Sequence, residues 1–234
     1  MKLRQLLLLL LASLYLTGCA SSLTPADQAR IKRVGVVSLV GDSVRGSYVG
    51  LTVFNNHYYD APVPDFAIDQ ILEQETARAI GSGAVALPME RERVRSAATY
   101  RQFFGGGVPY DMVRSAETLR TIASQRQLDA VLVWVPTIFE DHGARIRGVT
   151  LSAGIFGGGK MGSGVNAVLD VFDGTTGRLL AANVGNTTMG KLTARWRDEF
   201  SNFTPEERAE IRGEFQRQSR EKALSAPKNL GLAQ

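Results

Sequence analysis

Apolar residues in this chain come in short blocks separated by turn formers, and the spacing within the blocks switches between helical and extended periods. Val34-Gly35-Val36-Val37-Ser38-Leu39-Val40 is a β-branched run closed by Gly41-Asp42, which predicts a buried strand and a turn. A second extended stretch is predicted over Tyr48 to Phe54, and residues 55 to 64, polar and aromatic with two prolines, as a surface loop. Asp65 is positioned to cap a helix in which Ile68, Ile71, Leu72 and Ala79 recur at helical spacing, with Gly81 at its C-terminal cap. Ala84 to Leu87 reads as a brief strand stopped by Pro88, and residues 89 to 100 as an exposed, charged helix. Phe103-Phe104-Gly105-Gly106-Gly107 breaks regular structure. Ser115 opens a helix through Leu119, Ile122 and Ala123 that leads into Asp129-Ala130-Val131-Leu132-Val133-Trp134-Val135, an unbroken apolar strand covered on both faces.

Beyond residue 148 the period is two. Val149, Leu151, Ala153 and Ile155 alternate with smaller or polar residues, as do Val165, Ala167, Leu169 and Val171. Asp173-Gly174-Thr175-Thr176-Gly177 joins Ala167–Phe172 to Leu179–Val184 as a hairpin. Thr204-Pro205-Glu206-Glu207 is a capping box with proline in the first turn, so a helix starts there; Ile211 and Phe215 form its apolar stripe, and it is expected to end near Leu224, before Pro227. These elements define an α/β class: a mixed β-sheet with flanking helices, one compact domain over residues 33–190, and a C-terminal helical segment over 191–234.

Residues 1–32 follow another logic. Lys2 and Arg4 precede the uncharged run Leu6 to Leu16, which is shorter than the roughly 20 apolar residues a membrane span needs. Leu16-Thr17-Gly18-Cys19 closes it and resembles the lipobox of bacterial lipoprotein signal peptides. The resemblance implies a leader over residues 1–18 and Cys19 as the first mature residue, carrying lipid. Residues 19–32, with Ser21, Ser22, Thr24, Pro25 and Asp27, then form a tether. Ala20 and Ser21 supply no aspartate after the cysteine, which in the lipoproteins it resembles implies sorting to the outer membrane, periplasmic face.

Composition narrows the function classes. The 27 Lys and Arg outnumber the 23 Asp and Glu, but Lys2 and Arg4 belong to the leader, so the remaining excess is too small to argue for nucleic acid. Cys19 is the single cysteine, which excludes an internal disulfide and a multi-cysteine metal site. Hydrophobic content of 44% sets wholesale disorder aside.

Val34 to Val40, Leu128-Asp129-Ala130-Val131-Leu132-Val133 and the hairpin Leu169 to Leu179 together resemble the α/β fold of a group of periplasmic proteins. These are the curli export lipoprotein, the lipoprotein activators of peptidoglycan synthases and the amino-terminal domain of TolB. The resemblance covers roughly residues 33 to 190 and implies assembly or binding without a catalytic centre; it transfers no site residue.

Four patterns point to other chemistry. Gly41-Asp42-Ser43 after a strand resembles the nucleophile block of SGNH/GDSL hydrolases, with Ser43 as the attacking residue. That family's Asp-x-x-His block is missing, since His142 follows Phe139, and Gly185-Asn186-Thr187 completes only half of its Gly-x-Asn-Asp block. Residues 154–161 match a P-loop except for the Ser or Thr that holds magnesium, and a strand follows in place of the required helix. The glycines then form a connection with Lys160 solvated. Alternatively, the strands around them form a membrane-inserting hairpin of an oligomeric export pore, which needs about 9 to 11 residues per strand. His57 and His142 lie in polar loops without metal-site spacing. Tyr58, Tyr59, Phe103 and Phe104 are candidate partner contacts. The expected function is an outer-membrane-anchored periplasmic lipoprotein that binds another envelope component, an envelope protein or a peptidoglycan-associated partner. It requires no cofactor, metal or catalytic residue; the alternatives are a Ser43 hydrolase and the export pore.

Overall fold

The computed structural model describes residues 22–100, 110–141, 144–155, 160–185 and 190–233. Cys19, Phe103, Phe104 and His142, and most of the glycine-rich stretch at 156–159, lie outside them.

The chain starts with a one-turn-and-a-half helix α1 (Pro25–Arg30), and then builds its sheet from β1 (Val34–Ser38), β2 (Ser43–Val49) and β3 (His57–Pro62). Helix α2 (Ile68–Ile80) leads to β4 (Ala84–Ala86), helix α3 (Arg91–Ala97) and the two-residue strands β5 (Thr99–Tyr100) and β6 (Tyr110–Asp111). Helix α4 (Ala116–Arg126) precedes β7 (Ala130–Pro136), β8 (Ile138–Asp141), β9 (Ala144–Gly154), β10 (Lys160–Asp173), β11 (Leu179–Asn183) and β12 (Gly190–Arg195). The 25-residue helix α5 (Pro205–Asn229) closes the fold.

One mixed sheet contains ten of these strands, and β10 is its spine. The second half of β10 pairs antiparallel with β7 and β11, and β7 and β4 flank β1 in parallel. Its first half pairs antiparallel with β9 and β12, and β9 carries β2 in parallel and β3 beyond it. Side chains alternate across the strands into two cores. Val36, Leu132, Trp134, Leu151, Leu169 and Val171 face α2 and α5, whereas Val37, Val131, Val133, Val135 and Phe172 face α3 and α4. β7 is buried along its whole length, as its unbroken apolar run predicts. The mixed α/β class with a C-terminal helix is the observed one.

Several local expectations fail for identifiable reasons. The second strand begins at Ser43, not Tyr48, and continues only to Val49, because Val44 and Tyr48 face the core while Ser43 and Arg45 alternate outward. Its Gly46 is required: a Cβ there would run into the Tyr59 ring. Residues 57–62, expected as loop, form the edge strand β3, where only every second side chain needs to be apolar. Asp65 does not cap α2. The helix starts at Ile68 after Ala67 in the left-handed region (φ 53), and the Ile68 amide donates to Oδ1 of Asp42 at 2.9 Å. Pro227 falls within the last turn of α5 and is buried, so the helix runs on past Leu224 to Asn229. The capping box at Thr204 and Glu207 and the Gly81 cap (φ 103) form as expected.

Candidate functional site

The end of the sheet where β2 and β9 finish and β10 begins is an aromatic and aliphatic surface. Register places Tyr48 beside Ala153 and His57, Val49 beside Gly154, and Lys160 beside Arg195. Trp196, directly after β12, stacks on Tyr59 at 5.3 Å between centroids and lies 5.6 Å from Tyr48. Phe200 continues this tier to Tyr59, Phe66 and Phe203, and Phe66 meets Phe215 of α5. A rigid aromatic layer of this kind fixes the end of the sheet without long-side-chain entropy.

Beyond the layer, the chain turns through residues 50–56. The turn is held by the Gly50 amide donating to Oδ1 of Asn56 (3.0 Å) and by Thr52 Oγ1 donating to Oδ1 of Asn55 (2.6 Å). It projects Leu51, 71% exposed, and Phe54, 92% exposed, into solvent. Ile155, 40% exposed, follows β9 at the same end, and Lys160 and Arg195 stand exposed beside it. Among the described residues neither cation makes an ion pair. Exposed large apolar groups gathered at one end of a domain mark an interaction surface.

The two tyrosines singled out in the sequence separate, because neighbouring residues of a strand point to opposite faces. Tyr58 is 46% exposed, whereas Tyr59 enters the aromatic layer. The Tyr59 hydroxyl is buried without a hydrogen-bond partner among the described residues, and burial holds the phenol above its usual range.

Ser43 is exposed at the start of β2, opposite Pro62, while His57 pairs with Tyr48 at the other end of the same ladder. The structure therefore does not bring this histidine to the serine. The Asp42 carboxylate is engaged on the Ile68 amide. Lys160 opens a strand, not a helix, as the expected connection between strands requires. Among the described residues no group of three or more His, Cys, Asp or Glu side chains is placed to hold a metal ion.

Sequence reasoning missed a buried polar network behind Asp42. Ser38 donates from its amide to Oε1 of Glu73 (2.9 Å) and from Oγ to Oδ1 of Asp69 (2.5 Å), which also accepts the Gly41 amide (3.0 Å). Arg91 Nε and Nη2 grip the two Glu73 oxygens, each at 2.6 Å, and Arg95 lies 3.8 Å from Asp69. Burial pushes the Asp69 carboxyl up to about 6 against the bonds from Ser38 and Gly41. The network sits at the carboxyl end of β1, where open α/β sheets bind ligands, but Arg91 fills it. It is a structural plug. Its bonded partners are 18 or more residues apart in sequence, and no spacing rule pairs them. Asp170 and Lys222 are also buried: the first is pushed up to about 7, the second held down to about 8, both by burial, and Lys222 Nζ donates to the Val184 carbonyl at 2.7 Å.

No protein family matches this chain, and no curated protein matches it. Among solved structures it is similar to a PelC dodecamer, a point variant, from Paraburkholderia phytofirmans, with 11% identity and a TM-score of 0.35. The match spans 92% of this chain and 96% of that one. Similarity at this level assigns no function.

Proposed function

We propose that the protein is an outer-membrane-anchored periplasmic lipoprotein that docks an envelope protein and performs no chemistry of its own. The apolar end of the sheet is the observation that carries this reading. Leu51, Phe54 and Ile155 are exposed at the end of the sheet where Val49 pairs with Gly154 and Lys160 with Arg195, next to the aromatic layer of Tyr48, Tyr59 and Trp196. The complementary partner presents an apolar patch bordered by carboxylates.

The position of this end is compatible with a lipid on Cys19. β10 runs from Lys160 at the apolar end to Asp173, which pairs with Arg30 of α1 at 2.7 Å. Fourteen strand residues extend roughly 45 Å. Helix α1 and the apolar end are thus at opposite ends of β10, and a lipid on Cys19, a few residues before α1, would leave Phe54 free to face the periplasm when the strands stand upright.

A photo-crosslinking residue at Phe54 in intact cells tests the reading, with Leu224 of α5, also exposed, as the control position. A discrete adduct from position 54, absent from position 224 and abolished by Leu51→Glu, is expected. An equal pattern from both positions, or an adduct of twice the chain's own mass, overturns docking of a different protein.

A further inference from the structure

We infer that the pole of the domain nearest the tether is a docking surface for anionic phospholipid headgroups. The inference deepens the lipoprotein reading and rests on it for how the domain reaches a bilayer. Leu23 is already buried in the main core with Leu230, and Gln28 of α1 donates to the Leu230 carbonyl at 3.4 Å. Three residues separate Leu23 from Cys19, and the four residue steps between them reach at most about 14 Å. A lipid on Cys19 therefore brings this pole close to the headgroups.

What faces that membrane is cationic. Lys32 and Arg33 precede β1, Arg120 is on α4, and Arg178 follows the β10–β11 turn; all four are exposed. Among the described residues none of them makes an ion pair. The carboxylates here are mostly turned inward. Oδ2 of Asp129 accepts the amides of Lys32 (2.9 Å) and Arg33 (2.8 Å), which hold its carboxyl below the usual range. Oδ1 of Asp173 accepts the amides of Thr175 (2.9 Å) and Thr176 (2.7 Å), and Oδ2 takes Arg30. Asp27 is held by Thr24 and Arg30, and Glu117, in the first turn of α4, remains exposed. Arg33 donates from Nη1 to Oε1 of Gln127 and from Nη2 to the Arg126 carbonyl, both at 3.2 Å, so Lys32, Arg120 and Arg178 are the cations left facing outward, while most of the anions stabilise the backbone.

The same pole contains a groove of about 500 Å³ between α4 and the turn at Gly174 and Thr175. Arg120, Ser124, Gln127 and Thr175 line it, and Leu128 forms an apolar wall. A guanidinium, amides and hydroxyls above an apolar wall suit a phosphate with its glycerol and first methylenes. The groove lies on the α4 side of the strand ends and α1 on the other, so a membrane plane across the strand ends meets both. Each cation held near an anionic leaflet adds to the attraction, and the sum falls with salt.

The test uses the full chain, purified from cells and inserted in nanodiscs of phosphatidylcholine or of phosphatidylcholine with one quarter phosphatidylglycerol. Amide hydrogen exchange over residues 30–33, 118–128 and 174–178 should slow by about tenfold in the anionic discs at low salt. The protection should vanish at roughly 0.5 M salt and in Arg120→Gln/Arg178→Gln, while residues 51–55 exchange alike in both discs. Equal exchange in the two discs overturns the proposal, as does anionic-lipid protection that survives both salt and the double variant, and protection reproduced by free phosphate with neutral discs. Retention of the protein on neutral discs reports the anchor separately, so loss of the anchor and loss of headgroup docking give different results. The salt arm needs no variant, and unchanged exchange in β1 and β7 shows that the variant is folded.

Discussion

Arg91 holds Glu73 through two bonds of 2.6 Å, and Glu73 in turn accepts the amide of Ser38 at the end of β1. This ion pair ties α3 and α2 to the sheet. Glu73 is buried, so removing the arginine leaves a carboxylate without its counterion in the core. Arg91→Met is expected to destabilise the fold by about 3 to 5 kcal/mol, measured by urea unfolding. Arg91→Met/Glu73→Leu should recover most of that loss, since an apolar pair carries no desolvation penalty. A double variant as unstable as the single one would show that the backbone bond to Ser38 dominates.

Asp170 is a second buried carboxylate, flanked across the sheet by Val133 and Ala182 and without a hydrogen bond among the described residues. Burial raises its folded pKa to about 7, against about 3.9 for an unfolded aspartate. The native state therefore binds more protons between those values, and stability falls as pH rises from about 4 to about 7. Asp170→Asn should gain up to roughly 4 kcal/mol relative to the native chain at about pH 8 and little at about pH 4.5. Equal differences at the two pH values would remove Asp170 as the cause. Asp69, raised to about 6 by burial, adds a slope of the same sign that persists in the variant.

Gly46 lies beneath the Tyr59 ring, and this close approach sets the pairing of β2 with β3. Gly46→Val is expected to cost about 1 to 3 kcal/mol through overpacking. Tyr59→Ala in the same chain opens the space, so a double-mutant cycle should show favourable coupling between the two sites. Additive losses would instead place the strain in the strand backbone.

The legible parts of this fold are those in which local chemistry and tertiary placement agree. The β-branched run at Val34, the unbroken strand at Ala130, the hairpin turn at Asp173 and the capping box at Thr204 each announce an element that forms. β3 is opaque because an edge strand needs few apolar positions: His57, Asp60 and Pro62 look like loop residues until Arg45 and Tyr48 are opposite them. Pro227 misleads for the opposite reason, since a helix stop rule cannot anticipate a ring buried against the core. For the candidate site, Tyr58 is readable as exposed and aromatic, but Leu51, Phe54, Ile155 and Trp196 are not. They share one end of the sheet only because β2, β9 and β12 finish there.

The serine reading has its own decisive measurement. Ser43 is solvent-exposed, but the Asp42 carboxylate caps α2 and His57 lies at the far end of the β2–β3 ladder. Neither group serves Ser43 as a base, and a serine without one stays protonated and reacts slowly. The purified chain is expected to take up no fluorophosphonate probe above the level of Ser43→Ala. Stoichiometric labelling lost in that variant would overturn the non-catalytic reading.

Attachment through Cys19 is tested by what the lipid adds. Cells given an alkyne-tagged palmitate should incorporate the tag into the native chain and not into Cys19→Ala, and blocking lipoprotein signal peptidase should leave residues 1–18 in place. Labelling that persists in Cys19→Ala would sink the anchor, because the chain has no other thiol to carry a thioether-linked lipid. Density-gradient fractionation of the labelled chain then reads the sorting. Outer-membrane density is expected of the native chain, and Ala20→Asp, which places the charge directly after the lipidated residue, should shift the protein toward the inner membrane, whereas Ser21→Asp should leave it at outer-membrane density. Retention at outer-membrane density in both variants would show that sorting does not depend on these two positions, while leaving the docking of Phe54 to be judged by its own crosslinks.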